Sequence, residues 1–218
     1  MQVNAYLHKV DTMNVTLREK QKRKPTDVRK REIIDVAINI IAFDGARAFT
    51  AKNIASAVGM TSGGVFRHFE SMEAIVGDVI GRIEDILAAD FPAEIGDPLE
   101  RLKIFFLNRS RTILAHPSFS RLLLSDHLEQ TAGAEAAKRL VKAKSRSIKF
   151  IHECLQEAEQ KGFLGAAVET EAATSIIIGA IVMLSHNRQQ VTSTTKSNKT
   201  SEAVWPMIAH MLSAPSGR

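Results

Sequence analysis

Apolar residues recur at intervals of three and four along most of the chain, and no stretch alternates long enough to read as a strand. Thr26 is placed to cap a first helix in which Ile33, Ala37, Ile40 and Ile41 share a face and Gly45 ends the run. Thr50 caps a short second helix with Ile54, Ala55 and Val58 on its apolar stripe, and Gly59 supplies the left-handed residue that closes it. Thr61 caps a third, which carries small residues (Ser62, Gly63, Gly64) at its start and Val65, Phe66 and Phe69 further along. Ser71 caps a longer fourth helix bearing Ile75, Val79, Ile83, Ile86 and Leu87, stopping near Phe91-Pro92.

The second half continues in the same period. Asp97-Pro98-Leu99-Glu100 is a capping box with Pro at the first helical position, and that helix is expected to reach about Ala115. Pro117 opens a shorter helix through Phe119 to Leu128. A long helix from about Ala134 to Lys161 is closed by Gly162, and an apolar one follows from about Glu169 to Gln190. The polar run 191–200 reads as a loop, after which Ser201 caps a last helix with Val204, Trp205, Ile208 and Leu212. The expectation is an all-α chain of about nine helices. It divides into an arm (1–25), a three-helix module (26–72), a C-terminal bundle (73–213) and a tail (214–218).

The stretch from Phe49 to Ala74 is the most informative. Two short helices joined by a glycine turn, the second nearly bare at its tip and anchored through bulky residues, have the geometry of a helix-turn-helix that enters the major groove. Charge reinforces this. The chain of 218 residues carries +5, yet the excess is confined to Arg18–Arg31, where eight basic residues face only Glu19 and Asp27. Met1 to Thr16 reads as a solvated tail. Arg18, Lys22, Arg23 and Lys24, just ahead of the module, are placed to reach phosphates or an adjacent minor groove.

Other classes lose ground. A single Cys, Cys154, allows no internal disulfide, and the longest apolar run, Ile176–Leu184, is far short of the roughly 20 residues that span a bilayer. With no secretory signal in the first residues, a cytoplasmic location without membrane contact is expected. His116, His127 and His152 are scattered, and no metal or cofactor is expected. There is no phosphate loop, nucleophile elbow or acid–base pair, so the chain is not expected to be an enzyme.

From Ile33 to Val79 the chain resembles the TetR/AcrR family of bacterial transcriptional regulators. The resemblance rests on Gly45, Thr50, Ile54, Ala55, Gly59, Gly63, Phe66, His68, Phe69, Ser71 and Glu73, which fall at the family's T-x-x-x-I-A and G-x-x-x-x-H-F-x-S-x-E positions. It implies a homodimer, a two-fold symmetric double-stranded operator, and release from DNA when an effector of unknown identity binds the C-terminal bundle. It further implies that Thr50 and Lys52 reach the backbone or a base edge, that Thr61, Ser62, Gly63 and Gly64 form the reading tip, and that Phe66, Arg67 and His68 lie further along the recognition helix, with His68 a partly exposed phosphate contact and Phe66 without the phosphate bond that a Tyr hydroxyl would make. Three positions depart from the family. Phe66 stands where Tyr is frequent, Met72 where Lys is common, and Gly64 where Thr is frequent. With three basic residues against five acidic ones from Glu32 to Glu73, affinity should lean on the arm.

Candidate effector contacts are Phe105, Phe106, Arg109, Leu123, His127, Phe150, Ile151 and Cys154, although ordinary core packing accounts for most of the apolar ones. Cys154 would sense redox state only if exposed with a lowered pKa. Lys138, Lys142, Arg146 and Lys149 fall near one face of the long helix, most simply a solvated one. Ala172, Ala173, Ile176, Gly179, Ala180 and Met183, with Trp205 and Ile208 of the last helix, are assigned to the dimer interface, guided by the family's pairing through its last two helices. The leading expectation is a ligand-released homodimeric repressor. The alternative is a DNA-binding protein without a small-molecule switch, whose bundle serves dimerisation or protein contacts. A filled bundle core would favour the latter, a roomy cavity with convergent polar groups the former.

Overall fold

The computed structural model describes residues 25–93, 96–187 and 194–213. The basic contacts expected at Arg18, Lys22, Arg23 and Lys24, the tail 214–218 and part of the 191–200 loop lie outside the described residues. Among the described residues there are ten α-helices and no strand. They are α1 (Thr26–Asn39), α2 (Ala51–Val58), α3 (Ser62–Val65), α4 (Met72–Ala89), α5 (Pro98–Ala115), α6 (Pro117–Leu124), α7 (His127–Thr131), α8 (Ala134–Gln160), α9 (Thr170–Asn187) and α10 (Thr194–Leu212).

Most terminators act where the sequence puts them. Asp97 Oδ1 accepts from the backbone N–H groups of Leu99 and Glu100 at 2.8 and 3.2 Å, and Ser71 Oγ from that of Ala74 at 3.2 Å. Gly59 and Gly162 take φ of 68° and 70°, closing α2 and following α8. Thr26 is a correction: it is the first helical residue, and Pro25 stands at the cap without a side-chain bond. The first helix also does not run straight to Gly45. Residues Ile40–Asp44 form a wider π turn that ends with the Gly45 N–H on the Ile40 carbonyl at 3.0 Å.

Two further boundaries differ. The helix opened by Pro117 breaks at Ser125, whose extended backbone separates α6 from α7. The last helix begins at Thr194, so Ser201 is a buried interior residue rather than a cap. The polar run before it contains neither Gly nor Pro, and polarity alone does not break a helix whose next turns are anchored by Trp205, Ile208 and Leu212.

Two apolar cores organise the chain. The first joins Ile33, Ile41, Ile54, Val65, Ile75, Val79 and Ile83 of α1–α4 and the π turn. It continues past residue 72 into Phe119 and Leu122 of α6, Leu128 of α7 and Leu140 of α8. The second surrounds α5, with Leu102, Phe105 and Phe106 against Ile151, Cys154 and Leu155 of α8, Ile177 and Ile181 of α9, and Trp205 and Ile208 of α10. Packing of this kind, each helix burying one stripe, is what the 3.6-residue period prescribes.

Candidate nucleic-acid interface and bundle cavity

The reading head is held from inside and left bare outside. Ile54 and Ala55 pin α2, while Val65 and Phe69 pin α3 and the turn after it. Thr50 Oγ1 accepts from the Asn53 N–H at 3.2 Å, and Asn53 Nδ2 donates to the Ala48 carbonyl at 2.8 Å, fixing the entry to α2. Thr61 Oγ1 accepts from the Gly64 N–H at 3.1 Å. Arg29 Nη1 donates to Glu32 at 2.9 Å and to the Val58 carbonyl at 3.4 Å, tying α1 to the end of α2. Lys30 Nζ lies 5.3 Å above the Phe69 ring.

Thr50, Lys52, Thr61, Ser62, Gly63, Phe66 and Arg67 are all exposed. Phe66, 46% exposed, makes no aromatic contact among the described residues. Gly64 differs from its expected place at the tip. It is buried, and a Cβ there would sit 3.4 Å from both Met60 Cβ and Thr61 Oγ1. Its role is close packing of α3 on the preceding turn, and its N–H is taken by the cap. His68 is partly covered, with Nδ1 buried and unpartnered. The α-helical part of the recognition element is short, Ser62–Val65, and continues as hydrogen-bonded turns to Phe69. Met72 packs on the first core, so the departure from Lys there serves apolar packing. At Glu73, backbone and Ser71 hydrogen bonds hold the carboxyl below its ordinary pKa.

The bundle contains an apolar cavity of about 190 Å³, bounded by α4, α5, α6, α8 and α9. Phe105, Arg109, Leu123 and Ile151 line it as the sequence suggests, joined by Leu87, Ile113, Leu124, Lys144, Ser147, Ile148, Ile178, Ile181 and Val182. The other four candidates are elsewhere. Phe106 packs on Trp205 with ring centroids 5.6 Å apart, and Phe150 packs on Phe91 and Phe105 at 5.1 and 4.9 Å. His127 lies on α7, its ring facing the Gly45 turn. Cys154 is buried, and that burial pushes its thiol up to about 11, a value that suits an inert core residue and not a redox sensor.

Arg109 is the cavity's distinctive side chain. It is buried, and Nη2 donates to the Leu87 carbonyl at 2.9 Å and to Ser147 Oγ at 3.2 Å. Its Nε stands 3.1 Å from Asp90 Oδ2, an ion pair set off the line of a good hydrogen bond. The guanidinium also lies 5.1 Å from the Phe105 ring centroid. Thr112 Oγ1 donates to Asp90 Oδ1 at 2.6 Å. Sequence reasoning did not single out Asp90 and Thr112, because nothing in spacing relates a residue after α4 to one within α5.

On the basic face of α8, Lys138 and Lys149 pair with Glu135 and Glu153. Lys142 and Arg146 line an open cleft of about 320 Å³ between α4 and α8, where Arg146 stacks 4.7 Å from the Phe91 ring. No group of three His, Cys, Asp or Glu able to hold a metal occurs among the described residues, and no described helix is long and apolar enough to cross a membrane.

On α9, Ala172, Ile176, Gly179 and Met183 are exposed, and Ala180 is half-buried. Ala173 turns inward beside Ile177, and Trp205 and Ile208 of α10 also face the protomer's own core. All three are therefore corrected to core residues. The outward face of α10 carries Met207 instead, 73% exposed, which sequence reasoning missed. Helical phase would have found it, two positions from Trp205 and on the opposite side.

Residues 33–79 match the family model for bacterial regulatory proteins, tetR family. The HTH-type transcriptional regulator SrpR of Pseudomonas putida is 24% identical over 157 residues, covering 71% of this chain and 72% of that protein. The HTH-type transcriptional repressor KstR2 of Mycobacterium tuberculosis is 33% identical over 91 residues, 40% of this chain and 46% of KstR2, so that match spans under half of the relative. As a fold, the solved KstR2 of the same organism superposes with a TM-score of 0.72 at 19% identity, covering 83% of this chain and 93% of that one. AibR, solved with isovaleryl coenzyme A and operator DNA, gives 0.66 at 20% identity, covering 86% and 100%. Over residues 33–79 the chain thus carries the helix-turn-helix domain of the TetR family of bacterial transcriptional regulators, on an all-helical fold that solved regulators of that family share.

Proposed function

We propose that the protein is a cytoplasmic homodimeric repressor that reads a two-fold symmetric operator through α2 and α3 and is released by a small molecule bound in its C-terminal bundle. One observation carries the DNA half of this reading: Thr50, Lys52, Thr61, Ser62, Gly63, Phe66 and Arg67 are exposed on a head whose core is built from its other apolar residues. Residues 26–72 do the reading and 73–213 pair and sense. Dimerisation through the exposed α9 face would set the two heads about one turn of DNA apart, roughly 34–36 Å. An effector then acts by its differential affinity for the DNA-competent and DNA-incompetent states. A bundle that responds to a ligand is supported by the cavity and by AibR, solved in complex with isovaleryl coenzyme A and operator DNA.

A second reading has its own support. At about 190 Å³ the cavity is smaller than the roughly 300–1,000 Å³ usual for drug-sized ligands, and a filled bundle would serve dimerisation alone. Selection of bound duplexes from a random pool, followed by a screen for compounds that release the winner, separates the two. Absence of any two-fold symmetric preference would overturn the repressor reading. A selected operator that no compound releases would favour the second.

A further inference from the structure

We infer that the bundle cavity takes a compact, uncharged, mostly apolar molecule bearing a carbonyl oxygen, which accepts hydrogen bonds from Arg109 and Ser147. This rests on the reading of the bundle as the sensor and specifies what it senses. The walls are aliphatic and aromatic apart from three polar side chains, Arg109, Ser147 and Lys144. Lys144, at the edge, is engaged by Glu129 at 2.8 Å. Arg109 Nη2 donates to Leu87 and Ser147, and Nε faces Asp90 as an ion pair without a well-formed hydrogen bond, while Nη1 donates to nothing among the described residues. Ser147 Oγ accepts from Arg109, and its own proton has no acceptor there. Two adjacent donors thus remain inside an apolar space, and a carbonyl oxygen has two lone pairs to meet them.

Charge decides between a neutral acceptor and a carboxylate. Asp90 already balances the guanidinium from within the protein, and Glu129 balances Lys144. A second carboxylate would leave one uncompensated negative charge in a low-dielectric space, whereas a ketone, ester or amide oxygen adds none. The cavity opens outward at Leu124 and Ile148, and its interior of about 190 Å³ covers a part of the occupant near the size of a single substituted ring or a short branched chain.

Three probes of nearly equal size test this by ligand-observed NMR and calorimetry on the full chain at pH 8: acetophenone, α-methylstyrene (a methylene in place of the oxygen) and benzoate. Acetophenone should bind, with the hydrocarbon weaker by roughly 3–10-fold for want of the hydrogen bonds and benzoate weaker still. Ser147→Ala should bring acetophenone down toward the hydrocarbon without altering hydrocarbon binding. The paired variant Asp90→Asn with Arg109→Met, which removes both charges together, should do the same. Leu123→Trp should abolish all binding by filling the space. Equal affinity of ketone and hydrocarbon, preference for benzoate, binding that survives Leu123→Trp, or no binding by any probe each overturns the inference. Operator selection on the unmodified chain is read separately, so a protein that selects a two-fold site but ignores acetophenone loses this ligand class while keeping its DNA function.

Discussion

Arg109 Nε and Asp90 Oδ2 lie 3.1 Å apart with side chains only 4% and 5% exposed, which joins the end of α4 to the middle of α5 through a buried ion pair. Burial pushes the Asp90 carboxyl above its ordinary pKa, against the lowering by Thr112 and Arg109. A native pKa above the unfolded value near ~3.9 means that this group's contribution is complete below that value and is lost as pH rises through the higher native one. Arg109→Met removes a cation that lowers that pKa, so the fall in stability with rising pH deepens. It should destabilise by about 3–5 kcal/mol at neutral pH, and the deficit should shrink on acidification. Adding Asp90→Asn should restore much of it at pH 7. Urea unfolding between pH 4 and pH 8 measures all three.

The Thr61 hydroxyl is the only side-chain cap on α3 among the described residues. Thr61→Ala should cost about 1 kcal/mol of stability and, on the proposal that the tip ordered by this cap reads the operator, weaken operator binding. Thr61→Ser keeps the oxygen and should retain both. Thermal melts and gel shifts on the selected operator decide; equal binding by the Ala variant would argue against the tip's role.

Phe66 offers an exposed ring on the turn that follows α3. Because the ring packs against no other aromatic group among the described residues, Phe66→Tyr should leave stability within about 0.5 kcal/mol and tighten operator binding a few-fold through a new phosphate hydrogen bond. Fluorescence anisotropy provides the number, and unchanged affinity would place the ring away from the backbone.

Deleting residues 1–24 should weaken operator binding and flatten its salt dependence. Every phosphate that the arm no longer neutralises should reduce the slope of log affinity against log salt by roughly 0.9. Residues Glu32 to Glu73 supply few cations to take over. An unchanged slope would make the arm a spectator.

Two sets of apolar substitutions should behave oppositely. Ile176→Glu with Met183→Glu alters residues that are 50% and 59% exposed, so sedimentation should report monomers while the unfolding free energy stays near wild type. Trp205→Ala instead opens the second core beside Phe106 and should cost about 3–5 kcal/mol. Dimers that persist in the glutamate variant would remove α9 from the interface.

What could be read in advance was whatever local rules control. Thr50, Thr61, Ser71 and Asp97 cap as their positions dictate, and Gly45 and Gly59 adopt the positive φ that ends a helix. Helical phase also separated the inner from the outer face of α4. What stayed hidden depends on contacts distant in sequence or on how a turn closes. Gly64 reads as a bare tip until Met60 is found against it, and Trp205 reads as an interface residue until Phe106 is found beneath it. His127 and Phe150 read as cavity candidates in the sequence, and only packing shows which way a helix turns its side chains. The start of α10 was missed for a different reason: a polar, breaker-free stretch is helical or not according to what anchors its far end.

The apolar core that begins at Ile33 does not stop at the end of the head but takes in Phe119, Leu122, Leu128 and Leu140. Close-packed interiors shift between discrete arrangements and do not bend by degrees. The reading head therefore shares one continuous apolar core with the lower half of its own bundle. In the dimer proposed above, a head packed this way would leave the groove spacing together with its own protomer, so the pivot would lie at the seam between subunits.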